Sequence, residues 1–99
     1  MLLPRLVHAW QMTPKAQEAL KESPASTARR FFYDHLVFDP AAARLLIERF
    51  GLSQIMLGSD YPFVMGDPDP VGALERLELD QDAHYAISAG NARRFLGLR

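Results

Sequence analysis

An aspartate set directly after a short apolar run is the first residue in this chain with the makings of chemistry. Gln54-Ile55-Met56-Leu57 reads as a buried strand, and Gly58-Ser59-Asp60-Tyr61-Pro62-Phe63 follows it. α/β folds put catalytic and metal-binding carboxylates at the C-terminal end of such a strand. In that role Asp60 would ligate a metal or accept a proton. The plainer alternative is a turn residue within the Ser59-Asp60-Tyr61-Pro62 bend. Phe63 is either an aromatic platform for a flat substrate or an ordinary core phenylalanine. On residue type alone Arg5 is an exposed surface arginine. The histidines offer little: His8 and His35 lie far apart on different elements, outside any H-E-x-x-H pattern, and His84 falls on a surface helix. His35 does follow a strand, which gives it a position from which to face a pocket.

These groups need elements to hold them. Arg30-Phe31-Phe32-Tyr33-Asp34 is rich in aromatics and reads as a first strand. Asp39-Pro40 is a helix start, with Asp at the N-cap and Pro in the first turn. The helix is expected over 40–50, burying Leu45, Leu46 and Phe50, with Gly51 as its stop. The 54–57 strand comes next. Asp69-Pro70 repeats the helix-start device for a helix carrying Val71, Leu74 and Leu77. Asp80 caps another to about residue 89, ended by Gly90, and Asn91 caps a last short helix with Phe95 and Leu96. Before all this, 1–30 is the least regular stretch: Thr13-Pro14 starts a helix to Glu22, and Ser23-Pro24-Ala25-Ser26-Thr27 breaks it. Strand, helix, strand implies a parallel pair joined by a crossover. Such a pair needs cover on both edges and both faces, so the chain reads as a piece of a larger sheet.

Composition narrows the function classes. Eleven basic and twelve acidic residues leave a net charge of −1, which provides no basic field for nucleic acid. The doublets Arg29-Arg30 and Arg93-Arg94 are solvated ends of elements. The absence of cysteine removes disulfides, thiolate ligands and a thiol nucleophile. No stretch approaches membrane-spanning length and the N-terminus lacks a signal-peptide core, so a cytoplasmic location is the default expectation. Ninety-nine residues make one domain, 1–99, with no evident linker. A complete (β/α)8 barrel takes roughly 200–250 residues, so there is room for about two of its eight βα units.

Four motifs in order carry a family resemblance. Pro4-Arg5-Leu6-Val7-His8-Ala9-Trp10, Phe32-Tyr33-Asp34-His35 through Asp39-Pro40, Gln54 to Phe63, and Gly90-Asn91-Ala92-Arg93-Arg94-Phe95-Leu96-Gly97-Leu98 resemble, in turn, the segment after strand six, strand seven with its helix, strand eight, and the closing helix of the amidohydrolase-2 family, in its aminocarboxymuconate-semialdehyde decarboxylase-like group. The resemblance implies a metal-dependent carboxy-lyase or hydrolase acting on a small carboxylic acid. Asp60 would be both a ligand of a divalent metal, usually zinc, and the group that takes a proton from bound water. Phe63 would lie against the substrate and Arg5 would reach a substrate carboxylate. The family's second arginine, eight residues after the first, is Thr13 here, which tilts the reading away from a dicarboxylate substrate. The family's H-x-H pair and its other metal-binding and catalytic histidines match nothing in this chain, and one carboxylate does not hold zinc.

The expectation is therefore a C-terminal segment of a (β/α)8 barrel, about strands seven and eight with their helices, inactive and metal-free by itself. Its expected partners are a small carboxylic acid in the parent enzyme and either further copies of itself or a complementing chain, with no nucleic acid and no membrane. The rival expectation is a non-catalytic orphan fragment or a self-associating α/β module.

Overall fold

The computed structural model describes residues 2–98, leaving Met1 and Arg99 of the 1–99 span outside the described residues. The chain divides into two compact units, Met1–Phe31 and Phe32–Arg99.

The first unit holds three short helices: α1 (Leu3–Met12), α2 (Pro14–Ala19) and α3 (Pro24–Ala28). Helix α1 falls in the stretch expected to be irregular. Its signal was nonetheless present, because Leu3, Val7 and Trp10 recur at helical spacing and are the half-buried residues of α1. Trp10 ties the unit together: its indole N–H donates to the Leu20 carbonyl at 2.8 Å, and Gln17 donates to the carbonyls of Trp10 and Gln11. Helix α2 starts at Pro14 as expected but ends at Ala19 rather than Glu22, and the Thr13 side chain makes no cap bond. The expected break at 23–27 is a helix start instead. Ser23 accepts from the Ser26 N–H, and Pro24 sits in the first turn, where its missing N–H costs nothing.

The second unit is built around a minimal parallel pair, β1 (Tyr33–Asp34) and β2 (Ile55–Met56), with Tyr33 opposite Ile55 and Asp34 opposite Met56. Both strands are shorter than expected: Arg30, Phe31 and Phe32 are not in β1, Leu57 is not in β2, and Gln54 closes a 3₁₀ turn, Leu52–Gln54, that feeds β2. Helix α4 (Pro40–Phe50) crosses between the strands and occupies the expected span, with Asp39 accepting from the Ala42 N–H and Gly51 at φ 94° ending it. Its buried residue is Ala43; Leu46, Ile47 and Phe50 pack on the core, whereas Leu45 is exposed, contrary to expectation. Helix α5 (Pro70–Glu75) is capped by Asp69 and α6 (Gln81–Tyr85) by Asp80. A π-helical turn, Ala86–Gly90, joins α6 to α7 (Asn91–Phe95).

That junction corrects two expectations. Gly90 lies at φ −59° and continues the helix instead of stopping it, and Asn91 is not a cap. The Asn91 side chain is buried and donates to the carbonyls of Leu52 (2.8 Å) and Ile55 (2.7 Å), pinning the entry to β2. At the other end of β2 the Leu57 N–H donates to the Ile87 carbonyl in the π turn. Ile55, Leu74 and Ile87 are the largest fully buried side chains and form the core with Ala43 and Leu77. Tyr33 stacks on Phe50 with ring centroids 4.3 Å apart beside this cluster.

Candidate functional site

Parallel strands that end side by side send their following loops to the same edge, which is where α/β folds build sites. Here the loop after β1 carries His35 and Phe38, and the loop after β2 carries Gly58, Asp60 and Phe63. Each loop contains a non-glycine residue with a left-handed backbone, Phe38 at φ 56° and Asp60 at φ 55°. Such residues persist only when the surroundings hold them, and they cluster at functional sites.

The Asp60 loop is held by its own backbone. Ser59 offers its carbonyl to the Asp67 N–H (2.8 Å) and its hydroxyl oxygen to the Tyr61 N–H (3.2 Å). The Asp60 carbonyl accepts from the Phe63 N–H, and the Phe63 carbonyl from the Gly66 N–H. Gly66 is required at this closure, because a Cβ there would lie 2.4 Å from the Ser59 carbonyl oxygen. Asp67 and Asp69 pass the chain into α5 through side-chain bonds to the N–H groups of Asp69 and Gly72. The Tyr61-Pro62 peptide is cis.

This scaffold presents Asp60 to solvent. Beside it Tyr61, Phe63, Val64 and Met65 are also exposed, Val64 fully. Among the described residues Phe63 is thus a surface ring. Asp60 and Phe63 share one loop of the second unit, while Arg5 is exposed on α1 of the first. Small cavities lie at this edge among the described residues. One, of about 240 Å³, lies within the loop against Tyr61 and Phe63. Another, of about 130 Å³, lies between the two loops, lined by His35, Phe38, Asp39, Asp67 and Arg76 among others. Asp60 lines neither.

A metal does not fit the residues present. Among the described residues no group of three or more His, Asp or Glu could hold an ion. Zinc takes about four ligands in a structural site, or three plus water in a catalytic one. His8 is exposed and His84 half-buried on α6. His35 is buried, but its ring nitrogens face backbone: Nδ1 accepts from the Gly58 N–H (3.3 Å), and Nε2 lies 2.9 Å from the Pro70 carbonyl oxygen. Asp34, on β1, spends one carboxylate oxygen on the Leu36 N–H and so shapes its own turn. Gly58 passes so close to it that a Cβ would meet the Asp34 Cβ at 2.7 Å. No helix among the described residues is long and apolar enough to cross a membrane.

Comparison with known proteins places these features in context. The amidohydrolase model Amidohydro_2 matches residues 6–98. A 2-amino-3-carboxymuconate-6-semialdehyde decarboxylase of Dictyostelium discoideum is 30% identical over 96 residues, covering 95% of this chain and 27% of that protein. The decarboxylase of the same name from Caenorhabditis elegans is 38% identical over 64 residues, covering 64% of this chain and 16% of its own length. Among solved structures, the crystal structure of an amidohydrolase from Mycobacterium avium subsp. paratuberculosis superposes with a TM-score of 0.74 at 25% identity, over 97% of this chain and 24% of that one. The chain spans about a quarter of the first relative and of the solved structure.

Proposed function

This chain belongs to the amidohydrolase-2 family, in its aminocarboxymuconate-semialdehyde decarboxylase-like group, and on that premise we propose that it is the strand-seven and strand-eight segment of a metal-dependent (β/α)8 carboxy-lyase or hydrolase. Its contribution is one metal ligand, Asp60, together with two substrate contacts, Phe63 and Arg5. The observation that carries this reading is Asp60 itself: an exposed carboxylate, held in a left-handed conformation by a closed loop, in the segment that follows the parallel strand β2.

The residues of this chain have separable tasks. The Ser59–Asp67 closure fixes the backbone, so Asp60 is presented with little freedom left to lose on binding. The exposed Phe63 ring offers a face for a planar acid and excludes water from one side of it. The Arg5 guanidinium supplies a bidentate match for a substrate carboxylate. The remaining ligands of a divalent metal, zinc by the usual preference of the family, come from outside these residues, so the chain alone is inactive. A divalent metal completed by those outside ligands would supply Lewis-acid polarisation, with Asp60 as the one ligand from this chain. The substrate is a small carboxylic acid, and Thr13, in place of a second arginine, favours one with a single carboxylate to be held.

Two measurements test this. Calorimetric titration of the chain with zinc is expected to give no saturable binding; a tight stoichiometric site would overturn the composite reading. Sequencing the transcript that encodes the chain is expected to reveal, in frame, or in a separate chain that co-purifies, a segment with an H-x-H pair. A transcript lacking one, together with no such partner, would favour the orphan module instead.

A further inference from the structure

His35 is the least expected residue of the site edge. It is 5% exposed, and its backbone N–H extends the sheet by donating to the Met56 carbonyl. Its ring lies between two backbone groups that belong to opposite stems of the Asp60 loop: Gly58, just before Asp60, and Pro70, at the start of α5. A backbone N–H can only donate and a carbonyl can only accept. Nδ1, which faces the Gly58 N–H, must therefore be bare, and Nε2, facing the Pro70 carbonyl, must carry the proton. Only one form of the ring satisfies both partners, the neutral Nε2–H tautomer. A rigid planar ring that accepts on one side and donates on the other is what this gap requires.

We infer that His35 is a positioning residue: its neutral imidazole bridges Gly58 and Pro70, clamps both stems of the loop, and thereby sets where Asp60 and Phe63 are presented. Strand β1 then controls the geometry of the loop that follows β2. Naming Asp60 as the group presented rests on the proposed function, whereas the clamp itself stands on the bonds above.

The test needs neither metal nor substrate, so it can fail independently of the catalytic reading. Long-range proton–nitrogen NMR of the full chain reports the ring state; a protonated Nε2 with a bare Nδ1 is expected, and an Nδ1–H tautomer or an imidazolium at neutral pH overturns the inference. Amide exchange then separates a local clamp from general stabilisation. In His35→Ala the Gly58 amide is expected to exchange about tenfold faster relative to the Leu57 amide, which bonds to Ile87 instead. Equal acceleration of both amides, or unchanged chemical shifts across 59–67, overturns the positioning role. Should His35→Ala not fold, His35→Asn keeps an acceptor near the Nδ1 position and His35→Gln keeps a donor near Nε2. The first is expected to preserve Gly58 protection and disturb the shifts near Pro70, the second to do the reverse; identical patterns from the two overturn the bridge.

Discussion

Asp60 holds a left-handed backbone at φ 55°. A side chain in the left-handed region is disfavoured by about 1–2 kcal/mol relative to glycine, somewhat less for Asp and Asn. Replacing Asp60 by Gly is therefore expected to raise stability by about 0.5–1 kcal/mol in denaturant unfolding. A neutral or lower midpoint would show that the backbone there is unstrained. Tyr33 gives a second test at this scale. Its phenol sits beside the core against Phe50, and burial holds its pKa above the ordinary 10.0. The folded state prefers the neutral phenol, so its contribution is intact below pH about 10 and is lost as pH climbs through the raised value. Alkaline melting curves of wild type and Tyr33→Phe should diverge above that pH, with the Phe variant losing less; parallel curves contradict the burial effect. The position of Asp60 after its strand was legible from residue order. Its strain was not, because φ depends on the Ser59–Asp67 closure and on Gly66, contacts that no local pattern encodes.

The three helix starts marked by aspartate are written locally and were read correctly for that reason, whereas the equally local Ser23-Pro24 start was read as a break. Asp39, Asp69 and Asp80 each accept from an N–H three residues on, a bond that needs only neighbouring residues. Helix ends and the Asn91 junction depend on distant partners. Asn91 carries the cap residue type, yet its amide is used across the fold on Leu52 and Ile55, and the π turn before it sets Ile87 against Leu57. Asn91→Ala is expected to cost about 1–3 kcal/mol, since it removes the side-chain donor from two carbonyls, of which that of Leu52 keeps only the Ile55 N–H. A loss below half a kcal/mol in thermal or denaturant unfolding would place the anchoring of β2 elsewhere. Gly58→Ala drives a Cβ into the Asp34 side chain and should cost about 1–3 kcal/mol by overpacking; an unchanged midpoint would mean the strand ends separate freely.

At the scale of the molecule, the second unit joins a small core to a large apolar display. Among the described residues only Ile55, Leu74 and Ile87 are large and fully buried, while Tyr61, Phe63, Val64 and Met65 crowd one exposed loop. A two-stranded pair with two-residue strands has edges and faces that ask for cover. The parallel pair and its crossover helix were legible because aromatic residues precede and enter β1, an apolar run marks β2, and Asp39-Pro40 marks the start of α4. The first unit was not, since α1 begins without a side-chain cap and only its Leu3-Val7-Trp10 spacing betrays it. The central claim is that Asp60 is a metal ligand in an assembled barrel. Its most direct test is the metal content of this chain joined to the family segment bearing the H-x-H pair, comparing wild type with Asp60→Asn. The account predicts bound divalent metal in the wild type and a loss of affinity in the variant beyond the roughly 10–100-fold caused by removing an outer-shell partner, with the circular-dichroism spectrum unchanged. Equal metal content and affinity in the two proteins would contradict it.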